Sequence, residues 1–230
     1  MNEFLKFELR ITKINSILIL ITVVLVLLNL IAIFVEEINQ LYKFHYLFYM
    51  GYEKNVPTYF SSIILLISGC ILYLISTKMQ IIHSNYIKHW KFLSIIFLLM
   101  SIDEIIGIHE LFIIPLRRTF NLSGIFYFSW VILGIAFILI IGIVYLRFLF
   151  NLPAKIRNNF ILAASLYIGG VIGVELLDGY YAETHGQTNL TYRLMVTLEE
   201  SLEIFGIIVF IKALLNFMLI NKIKIKLIIF

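Results

Sequence analysis

The 230-residue sequence predicts an all-α integral membrane fold of six transmembrane helices. Three observations carry that prediction. The chain is 61% hydrophobic and only 14% charged, where a soluble domain carries roughly 25% charged residues. Apolar runs recur along its whole length, and a bilayer crossing needs about 20 such residues. Its Lys and Arg residues gather in alternate connections, as topology signals do.

The first run, 14–35, follows Lys6, Arg10 and Lys13 and is interrupted only by Thr22 and Asn29. It is too long for the core of a signal peptide and reads as an uncleaved first helix. Residues 36–58 form the longest loop and carry Tyr42, Phe44, Tyr46, Phe48, Tyr49 and Tyr52. Such rings favour the headgroup zone, so the segment is expected to lie along the interface, with a lid over a site as the alternative. Pro57 suits the first turn of the second helix, 59–77, which holds Ser61, Ser62, Ser68, Gly69 and Cys70 but no charge. The third helix, 92–114, is ended by Pro115 ahead of Arg117 and Arg118; the fourth, 124–147, contains Trp130 and Gly134. The fifth and sixth are 159–181 and 190–220, and Lys222, Lys224 and Lys226 form a basic tail. No soluble appendage, linker or low-complexity tract is apparent, so 1–230 reads as a single transmembrane domain. The lone Cys70 leaves no intrachain disulfide framework.

Loop charge sets the expected orientation. With both termini cytoplasmic, thirteen basic residues lie inside, and Lys43, Lys54, Arg117, Arg118 and Arg193 lie outside. That asymmetry fits six crossings, N-in and C-in, in a bacterial plasma membrane. The net charge of +4 is scattered through short loops and does not argue for a nucleic-acid partner; the expected partners are the bilayer and a small cation or proton.

The chemistry concentrates in 100–110, M-S-I-D-E-I-I-G-I-H-E, which sets Asp103, Glu104, His109 and Glu110 in an apolar run. A charge at membrane depth costs several kcal/mol, about 2.5–3.5 on insertion scales, unless it is paired, protonated or metal-bound. The fifth helix adds Glu175 and Asp178, and the sixth adds Glu199, Glu200 and Glu203, so eight of the fourteen carboxylates fall inside predicted helices. At about 1.5 Å rise per residue, Asp103 and Glu104 lie near the midplane and the rest in the outer half. Helices three, five and six are therefore expected to surround an acidic pocket, with the others as an apolar shield. At about 100° per residue, Asp103, Gly107 and Glu110 share one face of helix three, and Glu199, Glu200 and Glu203 one arc of helix six. Gly169 and Gly173 have the small-xxx-small spacing that permits close helix packing.

Eight carboxylates in a low-dielectric pocket cannot all be ionised without protons, cations or basic side chains to offset them. Three readings stay open. The acids bind a divalent cation or protons for transport or conduction, with Asp103, Glu104 and Glu200 as inner ligands. Glu110, Glu175, Asp178, Glu199 and Glu203 are then outer ligands, and His109 is a proton-exchanging neighbour. Alternatively, His109 and carboxylates hold a catalytic metal in a hydrolase or oxidase acting on a lipid-like substrate. In the third reading the acids form structural ion pairs with His109 and with Arg117, Arg118 and Arg193. Oxygen ligands suit Ca²⁺, Mg²⁺, Mn²⁺ or iron, whereas zinc usually takes more His or Cys. A helical di-iron site needs Glu-x-x-His pairs, and none is present. His45, His83, His89 and His185 are expected in loops.

Ser101-Ile102-Asp103-Glu104 is echoed by Thr197-Leu198-Glu199-Glu200, which raises a 3+3 inverted repeat of the kind seen in secondary transporters. The run Ser101-x-Asp103-Glu104-x4-His109-Glu110, followed by Glu199-Glu200-x-x-Glu203, resembles a group of bacterial multi-pass membrane proteins of unknown function. The resemblance spans helices three to six; it implies an integral membrane fold and no activity.

Overall fold

The computed structural model describes residues 3–35, 41–81 and 85–223, with side chains from residue 8 onward. Glu36, Glu37, His83, Lys224 and Lys226 lie outside the described residues. The described residues form helices and no strand: α1 (Glu3–Val35), α2 (Tyr42–Phe48), α3 (Val56–Ile81), α4 (Ile87–Ile106), α5 (Ile113–Phe120), α6 (Val131–Asn151), α7 (Ala154–Ile168), α8 (Glu175–His185) and α9 (Leu190–Ile220). Among the described residues, five spans are long and apolar enough to cross a membrane, with Ala154–His185 counted as one; the pair Ile87–Ile106 and His109–Phe120, bent by 74°, makes a sixth if it is one crossing.

α9 is the axis of the bundle: 61% of its most apolar window is buried, against 17% for α6. α1, α3 and α7 pack on α9, and α4 packs on α3. The α3–α4 seam uses the small polar residues of α3. Ser62 and Ser101 each donate to the other's carbonyl, at 2.8 and 2.9 Å, and Ser94 donates to the Gly69 carbonyl at 2.7 Å. These bonds satisfy hydroxyls where lipid offers no partner. Asn29 of α1 is fully buried, donating to Thr197 at 2.8 Å and accepting from the Met50 N–H at 2.9 Å. The first helix thus brings a polar anchor to α9 as well as an apolar surface.

Several sequence expectations shift here. The third helix does not run continuously over 92–114. It ends at Ile106, Gly107 adopts a left-handed φ of 67°, and the chain turns through one tight helical turn, His109–Phe112, into α5. Asp103, Gly107 and Glu110 therefore do not share a helical face. The fourth helix begins at Val131, because 121–130 is taken up by short turns. His45 lies in the short helix α2, buried, with Nδ1 2.8 Å from the Ala32 carbonyl; His89 lies in the first turn of α4 and His185 ends α8. The echoed stretches also differ, since 101–104 precedes a break whereas 197–200 sits within an unbroken helix.

Glycine spacing misled in a similar way. A Cβ on Gly169 or Gly173 meets nothing within 4 Å, so neither is the packing contact. Gly170 is: its Cβ would lie 2.7 Å from the Glu199 carbonyl oxygen and 2.9 Å from Glu203 Cγ. Residues 169–174 form a widened helical turn between α7 and α8. Such a turn holds more residues than an α-turn and breaks the register that four-residue spacing assumes.

Candidate functional site

Asp103 closes α4 and builds the first part of the site. Its Oδ1 accepts the backbone N–H of His109 at 3.0 Å, and Oδ2 lies 2.7 Å from His109 Nδ1. One carboxylate thus caps the turn after the break and orients the imidazole. The His109 ring packs on Trp130 at 4.7 Å between centroids, and the Trp130 indole N–H donates to Glu175 Oε1 at 2.7 Å. Trp130, at the start of α6, links the two acidic helices. The expectation that helix four only shields the pocket is corrected by that bond.

Glu175, Asp178 and Glu199 form the tightest cluster, with one carboxylate oxygen of each within 4.8 Å of the others. Asp178 is 0% exposed and Glu199 9%. Among the described residues no N–H or hydroxyl side chain donates to either oxygen of Asp178; its polar neighbours are the Glu175 and Glu199 carboxyl groups, which can share a proton with it. The wide turn at 169–174 and the bare Cα of Gly170 let α8 approach α9 closely enough to make this cluster.

Two members of this cluster, Glu175 and Glu199, face a cavity of about 1410 Å³ together with Asp103, Glu104, His109, Glu110, Glu200 and Glu203. Glu104 stands beside Ser61 and Glu53, and Glu203 beside Tyr167. Of the nine sequence-derived site residues, eight line this space, and Asp178 sits behind Glu175 and Glu199. The arginine pairing is not what closes it on the α5 side: Arg117 bonds the Tyr127 carbonyl at 2.8 Å and lies over the Tyr127 ring. Among the described residues the recorded ion pair of the site is Asp103 with His109.

Residues 49–53, between α2 and α3, also line the cavity. Tyr49 packs on His45 and Tyr52, and Arg193 lies over its ring at 5.7 Å. Burial pushes the Glu53 carboxyl up to about 7, and Glu110 adds repulsion; His109 pulls it down, Asp103 raises it and Lys54 lowers it. Burial likewise holds the Tyr49 hydroxyl above its ordinary range, reinforced by Tyr52. Trp130, Tyr167 and Glu53 were not in the sequence-derived set. Trp130 and Glu53 carried a signal, an indole inside a predicted helix and an acid beside an aromatic run, but neither revealed its partner.

The family model described as "Domain of unknown function (DUF8692)" matches residues 17–217. No curated protein and no solved structure matches the chain.

Proposed function

We propose, for a chain that belongs to the DUF8692 family over most of its length, that the buried carboxylates bind a cation or protons and move them across the bilayer. One observation carries this reading: Glu175, Asp178 and Glu199 converge within 4.8 Å, and fully buried Asp178 has, among the described residues, only carboxyl groups as polar neighbours. Three carboxylates so placed in a medium of low dielectric require positive charge or protons among them. A divalent cation preferring oxygen ligands, such as Ca²⁺ or Mn²⁺, suits the donor set. The cavity beside the cluster supplies a path past Glu200, Glu203 and Glu104 to Asp103 and His109. The bent α4–α5 pair serves as the third of six crossings, with both termini cytoplasmic, in a bacterial plasma membrane. The break in that pair places irregular backbone against the cavity, where a membrane protein tolerates it.

Flux measured in proteoliposomes with a Mn²⁺-sensitive or pH-sensitive dye tests the reading. Glu199→Gln and Asp178→Asn are each expected to lower flux by more than about tenfold, the ratio that ~1.4 kcal/mol represents. Unchanged flux in both variants overturns it.

The Asp103–His109 pair supports a second reading. A carboxylate that fixes an imidazole through Nδ1 leaves Nε2 to exchange a proton or ligate a metal, which suits a metal-dependent enzyme acting on a lipid-like substrate. Stoichiometric, tightly held Mn, Fe or Zn in the purified protein favours this enzyme, and its absence counts against it.

A further inference from the structure

The cavity does not stop at the carboxylates. Along α6 it is lined by residues spaced three and four apart from Trp130 to Leu149, one helix face about 28 Å long at 1.5 Å per residue. That length approaches the bilayer hydrocarbon thickness of roughly 30 Å. Opposite this face stand Leu93 and Phe97 of α4, Phe160 and Ala164 of α7, and Phe210 of α9. The limb is apolar apart from Ser165 of α7 and the Tyr145 hydroxyl, and the latter is already used, donating to the His89 carbonyl at 2.8 Å. At about 1410 Å³ the whole cavity exceeds the ~300–1,000 Å³ of ordinary small-molecule sites.

Two chemistries therefore meet in one space. A hydrated ion has no use for the apolar limb, and water there finds few polar partners. A chain of methylenes fits it. At the other end, Glu104, Glu175, Glu199, Glu200 and Glu203 line the wall, with Asp178 behind them and only carboxyl groups as its polar neighbours among the described residues. An anionic head group would meet like charge in a low-dielectric setting, and a neutral one would leave the acids to be offset by protons alone.

We propose that the cavity holds a long-chain amphiphile with a cationic, amine-type head, the head among the α8 and α9 carboxylates and the chain along α6. The inference rests on reading those carboxylates as a cation site and names an organic cation as an occupant of it.

Gly142 provides the means to test the chain limb separately. It lines the cavity, and a Cβ there meets nothing within 4 Å, so a phenylalanine side chain can enter the limb. Binding of radiolabelled hexadecylamine is measured on the full chain in lipid nanodiscs. Saturable one-to-one binding is expected, with hexadecanol and palmitate competing at least about tenfold more weakly than unlabelled amine. Glu199→Gln combined with Glu200→Gln is expected to weaken amine binding by about tenfold or more. Gly142→Phe abolishes it and Gly142→Ala retains it, both eluting as wild type on gel filtration. Equal competition by hexadecanol or palmitate, or no saturable amine binding to wild type, overturns the proposal without using any variant. So does wild-type amine binding in a folded Gly142→Phe protein. Flux of Mn²⁺ or protons, read in parallel, separates the two readings. Amine binding with no wild-type flux removes transport alone, and flux without amine binding removes the amphiphile alone.

Discussion

Asp103 holds His109 at two atoms, its Oδ1 on the backbone N–H at 3.0 Å and its Oδ2 on ring Nδ1 at 2.7 Å. The same carboxylate that ends α4 thereby fixes the direction of the imidazole. Asp103→Ala removes both acceptors and leaves the N–H unpaired, at a cost of about 1–3 kcal/mol. A lower thermal midpoint in detergent is the expected outcome. Asp103→Asn keeps an acceptor for the N–H but loses the charge facing the ring. Its midpoint should stay nearer wild type while flux falls; equal midpoints for the Ala and Asn variants count against the cap.

Gly107 turns the chain with φ 67°, and a Cβ there would lie 3.3 Å from Glu110 Oε2. Gly107→Ala should cost about 1–2 kcal/mol, the penalty of the left-handed region for a residue with a Cβ. Gly107→Asn should cost less, because asparagine visits that region more readily. Chemical denaturation of the two variants checks the order.

Glycines three positions apart, Gly170 and Gly173, should differ sharply on the seam between the widened turn and α9. Gly170→Ala drives a methyl to 2.7 Å from the Glu199 carbonyl, an overpacking that costs about 1–3 kcal/mol. It should also disturb the Glu175, Asp178 and Glu199 cluster and weaken Mn²⁺ binding followed by electron paramagnetic resonance. Gly173→Ala enters open space and should leave both stability and binding close to wild type.

Glu53 predicts a pH dependence of known sign. Its carboxyl titrates at about 7 in the folded chain against 4.5 when unperturbed. A raised folded value means that the folded state binds the proton more tightly. The stabilisation is complete below about 4.5 and disappears as pH rises through about 7. The thermal midpoint of wild type should fall across that window, and Glu53→Gln, which carries no titrating proton, should flatten the fall. An identical pH profile in the variant would exclude Glu53 as its source.

The class of fold was legible from composition and from the length of the apolar runs, because lipid demands helices that satisfy their own backbone groups. The acidic character of the third, fifth and sixth predicted helices was legible as well, since each ionisable residue stands out against an apolar background. A local signal at a helix start also held, with Pro57 in the first turn of α3.

What the sequence by itself determined, then, was an all-helical, bilayer-length chain with its carboxylates on three helices. Tertiary structure alone decided where those carboxylates meet. The break after Ile106 depends on Asp103 reaching the His109 N–H across the turn, and helical periodicity cannot show such a bond. The Trp130–Glu175 bond joins residues 45 positions apart, and the widened turn at 169–174 moves the packing glycine from the expected position to Gly170. The apolar limb along α6 is space between helices. Its shape follows from how α4, α6, α7 and α9 diverge, and no one-dimensional pattern of residues contains that divergence.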